Sequence, residues 1–171
     1  MAVEYSFGEM ARIFEDAARD MPAIDSAILE MLGVRIEDRA KSYLGIPQTI
    51  GHGGFPPWAP LAESTLAKKG QTAPGTPLLE SGELADSLDH QLVSPITVAV
   101  GTALLSERGQ PYPNYLEEGT SEMPPRPFLH PAALEVVKES LDEIGAAIVA
   151  GVGGMGTFRG AYSTTSFNGV E

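Results

Sequence analysis

Residues 112–131 read YPNYLEEGTSEMPPRPFLHP, and this stretch decides how the second half of the chain folds. Two tyrosines open a short polar run, and the segment 123–129 follows with three prolines in four positions. Proline fixes φ and drives the residue before it toward extended backbone. We therefore expect a stiff, extended arm that holds Arg126 outward and leaves Phe128 and Leu129 to fill an apolar pocket.

The residues after this arm predict a long amphipathic helix over 132–149. Large apolar side chains recur there at steps of three and four, with charged residues between them. The apolar positions are Leu134, Val137, Leu141, Ile144 and Ile148, and the positions predicted to face away are Glu135, Lys138, Glu139, Asp142 and Glu143. The remaining residues, 151–171, are rich in Gly, Ser and Thr, and we expect a tail that is ordered only by a neighbouring molecule.

The first part of the chain predicts two further amphipathic helices, over 6–21 and 22–44, because apolar residues again recur at helical spacing. Pro22 is expected to end the first helix and to occupy the first turn of the second. Gly45 is expected to stop the second helix.

Shorter elements are predicted between these helices. A Gly- and Pro-rich loop covers 45–60, a short helix 61–69, and one or two helical turns 81–87, where Ser81 is the expected N-cap. Apolar residues then alternate with polar ones over 88–100 around a short turn, which is typical of a β-hairpin. The fold class is therefore α+β, in one domain over 1–150, with N-terminal helices, a small antiparallel sheet containing the hairpin, and a long C-terminal helix.

The composition restricts the class of partner. The 171 residues carry a formal net charge of −12, with no cysteine and no apolar run long enough for a membrane span. Nucleic-acid binders need clustered Lys and Arg, and here the bases are scattered. The acidic balance indicates either plain solubility or a surface that must not adhere to DNA. No signal peptide is expected. The absence of Cys fits a cytoplasmic origin.

No pattern predicts catalysis, a cofactor or a metal. The three histidines are about 40 residues apart in sequence and form no i, i+4 pair. Residues 151–156 match G-x-G-x-x-G, but they follow a predicted helix and no βαβ unit remains after them. Glu117 and Glu118 are adjacent, so they do not face one another on a helical turn. They indicate a solvated turn or a partner for Arg126 across a subunit boundary.

Trp58 is the only tryptophan, and prolines flank it. It is either a core anchor that holds a long loop or an interface residue, since Trp is enriched at interfaces.

Several motifs occur together in a fixed order. They are Trp58-Ala59-Pro60-Leu61 before Thr65 and Lys68; Pro77-Leu78-Leu79 before Ser81-Gly82-Glu83-Leu84 and Ser87; Ile96 to Gly101; and Tyr112, Tyr115, Glu118-Gly119-Thr120 and Met123 to Leu129. In this order and spacing, residues 5–148 resemble the virion morphogenesis (tail-completion, or neck) proteins of tailed bacteriophages, including the Mu G-like group. One departure is Pro113, because a small or apolar residue often follows the first Tyr in that family.

The resemblance implies a structural virion protein and no enzymatic activity. Copies, commonly six, would form a ring in the neck between the head connector or stopper and the tail terminator or tail tube. DNA would pass through its lumen without specific binding. The expected location is the virion tail or neck, and the host cytoplasm during assembly. Alternatives are a tail-tube terminator or head-closure protein at the same junction, or, from another class, a small phage hydrolase.

The residues expected at subunit or partner contacts are three aromatic residues before the arm, one glutamate and three residues of the arm. They are Trp58, Tyr112, Tyr115, Glu118, Arg126, Phe128 and Leu129.

Overall fold

The computed structural model describes residues 7–106, 109 and 111–152. It confirms an α+β fold with an N-terminal helix, a two-stranded antiparallel hairpin and a long C-terminal helix packed against the first. The elements in chain order are α1 (Phe7–Tyr43), α2 (Glu63–Lys69), α3 (Glu83–Ser87), β1 (Asp89–Ser94), β2 (Thr97–Gly101), α4 (Tyr112–Glu118) and α5 (Leu129–Val152).

The described residues divide into two compact units. The first contains 7–32, 92–98 and 139–152, and the second contains 33–91 and the described part of 99–138. The side-chain contacts of Trp58, Arg126, Glu117 and Glu135 described below lie within the second unit. The expectation of a single domain over 1–150 stays a prediction.

Helix α1 runs without a break through Pro22, so the prediction of two separate helices was wrong. A proline inside a helix removes one i→i−4 hydrogen bond and costs about 3 kcal/mol. The apolar residues keep their three-and-four spacing across the proline, from Met21 through Ile24 to Ile28. Both halves therefore share one apolar face, and continuing the helix keeps that face in register.

The end of α1 lies where the sequence predicted it. Gly45 has φ +81°, and its N–H donates to the Pro77 carbonyl at 2.8 Å. A Cβ at Gly45 would lie 2.8 Å from Leu79 Cδ2. Only glycine adopts this left-handed conformation so close to a neighbouring segment without strain.

The short elements are confirmed except for one cap. Helix α2 begins two residues later than predicted and ends at Lys69, as predicted. Helix α3 begins at Glu83 with Gly82 as its N-cap, so Ser81 is not the cap residue itself. Ser81 lies one position earlier, where its Oγ accepts a hydrogen bond from the Glu83 N–H at 3.3 Å.

The hairpin is confirmed, and half-buried residues alternate with exposed ones along both strands. In the first unit, Ser26 Oγ on α1 donates to the Pro95 carbonyl in the turn between the strands, at 3.4 Å. A hairpin of two strands is only marginally stable alone, so contacts of this kind with the helices help to hold it.

The buried face of α5 differs from the predicted one. Among the described side chains of α5, the buried ones are Pro131, Ala132, Val136, Ser140 and Ala147. Ala132, Ser140 and Ala147 are small, so a neighbouring segment can approach this face closely. The five large apolar residues of the predicted stripe lie beside this face, and four of them are exposed.

Two predictions concern the ends of the described chain. Gly151 and Val152 belong to α5, and the rest of the predicted tail, 153–171, lies outside the described residues. Within the described ranges, no helix combines the length and apolar character that crossing a membrane requires.

Candidate subunit interface

The two segments that carry the family resemblance pack against each other. Trp58 Nε1 donates to the Pro127 carbonyl at 3.0 Å. Arg126 Nη2 donates to the carbonyls of Ala59 and Pro60 at 3.1 and 3.2 Å. These residues are 66 to 69 positions apart in sequence. The proline-rich arm therefore joins the loop before α2 to the start of α5.

Arg126 faces inward, so the prediction that the arm holds it outward was wrong. Its exposed fraction is 6%, and burial lowers the pKa of its guanidinium. The backbone carbonyls of Ala59 and Pro60 bind it. Its buried Nε has no hydrogen-bond partner among the described residues.

Phe128 is fully buried within its own chain. Its exposed fraction is 0%, so its side chain is not accessible to a neighbouring subunit in this conformation. Trp58 is likewise buried, which favours the core-anchor interpretation. Leu129 is half-buried. These side chains hold the fold together around the arm.

Glu117 caps α5, a role that the sequence analysis missed. Its Oε1 accepts hydrogen bonds from the backbone N–H groups of Phe128 and Leu129 at 2.8 and 2.6 Å. His130 Nδ1 lies 2.7 Å from its Oε2. A carboxylate at a helix N-terminus satisfies free N–H groups and interacts favourably with the helix dipole. Glu117 is thus neither a solvated residue nor the partner of Arg126.

A second carboxylate, Glu135, connects α5 to α1 and to the loop after it. Its Oε2 accepts hydrogen bonds from Arg39 Nη1 at 2.7 Å and from the Tyr43 hydroxyl at 2.6 Å. Its Oε1 accepts from the Gly53 N–H at 3.1 Å and lies 3.2 Å from His52 Nδ1. The sequence analysis predicted that Glu135 faces away, and this was wrong.

The surroundings of Glu135 shift two pKa values. Burial acts to raise the pKa of Glu135, but the hydrogen bonds from Tyr43, Arg39, His52 and Gly53 outweigh it and lower the pKa. Burial and the bond to Glu135 raise the pKa of Tyr43 to about 12. Glu135 is therefore ionised and Tyr43 is neutral near pH 7.

Glycine is needed at position 53, where the backbone lies close to α5. A Cβ at Gly53 would lie 2.6 Å from Pro131 Cα.

Glu37, Asp89 and His90 form a group whose ligand atoms lie within 4.8 Å of one another, close enough to hold a metal ion. His90 Nδ1 is 2.5 Å from Glu37 Oε2. The ammonium group of Lys41 already binds Glu37 Oε1 at 2.5 Å. Burial acts to raise the pKa of Glu37, but these two partners lower it. A metal would have to compete with Lys41 for the carboxylate.

A small groove with a cavity volume of about 10 Å³ lies beside the contact between Trp58 and Pro127. Its lining residues are Tyr43, Gln48, Ile50, His52, Phe55, Pro56, Trp58, Pro127 and Pro131. Binding sites for small molecules usually enclose roughly 300 to 1,000 Å³. The groove is too small to serve as such a site.

Helix α4 presents three of the predicted interface residues to solvent. Tyr112, Tyr115 and Glu118 are exposed, and Pro113 and Leu116 are the residues that α4 buries. Pro113 lies in the first turn of α4, where a proline is tolerated, so the departure from the family pattern does not prevent the helix. An interface role for the three exposed residues stays a prediction.

Helix α5 presents a second exposed surface, here called the apolar seam: Leu134, Val137, Leu141, Ile144 and Ile148. The exposed fractions are 56% for Leu134, 41% for Val137, 58% for Leu141 and 36% for Ile148, and Ile144 is half-buried. The spacing predicted an amphipathic helix, which the structure confirms, but its apolar stripe is mostly exposed. Large exposed apolar residues along one helix face are typical of a surface that meets another protein.

Other large apolar side chains are exposed as well. They are Ile46, Ile50, Val93, Ile96 and Leu105. Scattered exposed apolar residues are normal on soluble proteins, so these carry less weight than the seam.

Comparison with known proteins gives no relative for this chain. No protein-family model matches it, and neither the curated proteins nor the solved structures contain a significant match. The resemblance to phage neck proteins therefore rests on the quoted motifs alone.

Proposed function

We propose that this chain is a structural protein of a tailed-phage virion, one subunit of a ring, with commonly six copies, in the neck between head and tail. The proposal rests first on the motif order, from Trp58 to Leu84 and from Tyr115 to Leu129. Its partners are further copies of itself, the head connector or stopper, and the tail terminator or tail tube.

The observation that carries the proposal is that some residues of the quoted motifs are buried within the subunit, whereas the motif tyrosines on α4 are exposed. Trp58, Arg126 and Phe128 stabilise the fold of the subunit. Tyr112 and Tyr115 on α4 are large and face solvent. Aromatic residues are enriched in the centres of protein interfaces. This division suits an assembly subunit, because the fold is fixed internally while other side chains remain available for neighbours.

The experiment measures assembly directly. The full chain is purified, its mass is determined by native mass spectrometry, and its particles are imaged in negative stain. We expect closed rings with a single copy number. A variant with Tyr112→Ser and Tyr115→Ser should lose the rings but keep the circular dichroism spectrum, whereas Lys68→Ala, an exposed change on α2, should keep both.

A chain that stays monomeric at all concentrations, alone and with candidate neck proteins, would contradict the proposal. Rings that bind only tail-tube protein would favour the terminator, and rings that bind only connector protein would favour head closure.

The hydrolase alternative predicts a different result. Substituting Glu118 and each histidine in turn should abolish an enzyme, whereas a structural subunit should keep its assembly.

A further inference from the structure

We propose that Glu37, Asp89 and His90 bind a divalent transition-metal ion of the Zn²⁺ class. This inference goes beyond the proposed function and does not rest on it. Glu37 lies on α1, whereas Asp89 and His90 are the first residues of β1. All three belong to the second compact unit, so the ion would join the start of the hairpin to α1.

The first step is distance. One ligand atom from each of the three residues lies within 4.8 Å of the other two. Three atoms within 4.8 Å of one another can all reach a common point at no more than about 2.8 Å, since 4.8/√3 is about 2.8. Zn²⁺ binds imidazole nitrogen and carboxylate oxygen at roughly 2.0 to 2.2 Å. Side-chain movements of less than about 1 Å therefore complete the coordination.

The second step is the contacts that hold the three side chains together. Neighbouring residues on a strand normally point to opposite faces. Here Asp89 Oδ1 accepts a hydrogen bond from the His90 backbone N–H at 2.8 Å, which turns this carboxylate toward its neighbour. His90 Nδ1 lies 2.5 Å from Glu37 Oε2. The ligands are therefore close to one another before an ion binds, and this lowers the entropy lost on binding.

The third step is charge. Glu37 and Asp89 bring two carboxylates to one place, and carboxylates that share a site repel each other. Among the described contacts, the ammonium group of Lys41 binds Glu37 Oε1 and balances one of the two negative charges. With a neutral imidazole, the group keeps a net charge of about −1. A divalent cation balances both carboxylates.

The chemistry of the ligands selects the class of ion. An imidazole beside carboxylates suits Zn²⁺ and similar transition-metal ions, whereas Mg²⁺ and Ca²⁺ are bound by oxygen ligands. Three protein ligands leave the fourth position of a tetrahedral ion for water or another ligand. The sequence spacing did not indicate this site, because Glu37 and His90 are 53 positions apart.

Isothermal titration calorimetry with ZnCl₂ tests the site on the full chain, after treatment with EDTA and dialysis. We expect one ion per chain, with a dissociation constant in the micromolar range because the ion must displace Lys41. Glu37→Gln and His90→Gln should each weaken binding at least about 10-fold. The matched control is His130→Gln, because His130 also contacts a carboxylate through Nδ1; it should leave the affinity unchanged.

A second pair of variants tests the competition by Lys41. The Lys41 side chain is 34% exposed, so its ammonium group can move into solvent when the ion binds. Lys41→Met should tighten Zn²⁺ binding by about 2- to 5-fold, because no ion pair remains to be displaced. Lys138→Met removes the same charge from an exposed position elsewhere and should leave the affinity unchanged. Equal affinities of these two variants would contradict binding at Glu37.

Thermal unfolding gives an independent readout. Zn²⁺ should raise the Tm of the wild type, since a ligand that binds the folded chain stabilises it, and should not raise the Tm of Glu37→Gln. Circular dichroism confirms that the variants fold, and Asp89→Asn, at an exposed position, replaces any variant that does not. No binding up to millimolar Zn²⁺ would overturn the inference. Equal binding by the wild type and both ligand variants would show an adventitious ion only. Rings imaged in EDTA are a separate readout, so the site and the proposed function can fail independently.

Discussion

At the scale of single residues, carboxylates at tertiary contacts hold the described fold together. Glu135 binds groups from α1 and the following loop that are 82 to 96 positions away in sequence. Glu117 binds the start of α5 from α4. Each lies among other acidic residues that are typical of a solvent-exposed surface, so the local sequence does not indicate a tertiary contact. Their partners become visible only when the distant segments are brought together.

Glu135→Gln should lower the free energy of unfolding by about 2 kcal/mol near pH 7, because hydrogen bonds to a charged group contribute roughly 1.5 to 3 kcal/mol. Urea denaturation measures the change. Glu122→Gln, at an exposed position, is the matched control and should change stability little. A loss equal to that of the control would contradict the anchoring role of Glu135.

The pH dependence of stability follows from the same site. The pKa of Glu135 is lowered in the folded state, so its contribution is fully present above the ordinary value of about 4.5 and is lost as pH falls below it. The pKa of Tyr43 is raised to about 12, so its contribution is present below about pH 10 and is lost as pH rises through 12. Denaturation between pH 3 and 7 should show a smaller pH dependence for Glu135→Gln than for wild type.

At the scale of elements, the arm before α5 is a piece of the core. Phe128→Ala should lower the free energy of unfolding by about 3 to 5 kcal/mol, since it empties a fully enclosed site. The comparison variant, Ile46→Ala, removes an exposed side chain and should cost less than about 0.5 kcal/mol. Thermal and urea unfolding measure both. A Phe128→Ala protein with wild-type stability would instead support the expectation that Phe128 lies at a subunit contact.

Removing the cap of α5 should loosen its first turn. Glu117→Ala leaves the N–H groups of Phe128 and Leu129 without their acceptor and should cost about 1 to 2 kcal/mol. Hydrogen exchange at these two amides should become faster, while exchange in the middle of α5 stays slow. Unchanged exchange at both amides would contradict the capping role.

The elements show how far sequence reasoning reaches. Spacing and turn residues located the hairpin, α2, α3 and the end of α1 at Gly45, because those signals are local. They did not show which face of α5 is buried. A stripe such as Leu134 to Ile148 has the same period whether it faces its own core or a second molecule. Pro22 does not end α1, although proline usually ends a helix. The continuous apolar face of α1 outweighs the one hydrogen bond that the proline removes.

Only some of the residues predicted at an interface are exposed. Tyr112, Tyr115 and Glu118 are at the surface, as an interface requires, because α4 turns Pro113 and Leu116 inward. Trp58, Arg126 and Phe128 are buried, since the arm runs along its own subunit. A proline-rich segment predicts stiffness, but stiffness alone does not say which chain the segment packs on.

At the scale of the whole molecule, charge governs the expected behaviour toward DNA. In the proposed ring, six copies of a chain with net charge −12 would sum to −72, since 6 × 12 = 72. Duplex DNA carries one negative charge per about 1.7 Å of axis, and exposed charges act over about 8 Å at physiological salt. Acidic residues that line the lumen would therefore repel the phosphates and let DNA slide.

The purified chain should accordingly show no measurable binding to duplex DNA at moderate salt. Fluorescence anisotropy with a labelled duplex, repeated across salt concentrations, measures this. A chemically amidated sample, in which carboxylates are neutralised, should bind more strongly than the untreated chain. Micromolar binding by the untreated chain that weakens as salt rises would contradict the acidic-lumen interpretation.

The contact between Trp58 and Pro127 also allows unfolding to be followed by intrinsic tryptophan fluorescence. Because this is the only indole in the chain and it is buried in the second unit, its emission should shift to the red when that unit opens. Far-ultraviolet circular dichroism, by contrast, sums α1 and α5 along their whole lengths, which extend into both units. Two unfolding curves that coincide would indicate one cooperative transition. Curves that separate would give the stability of each unit from a single unlabelled sample.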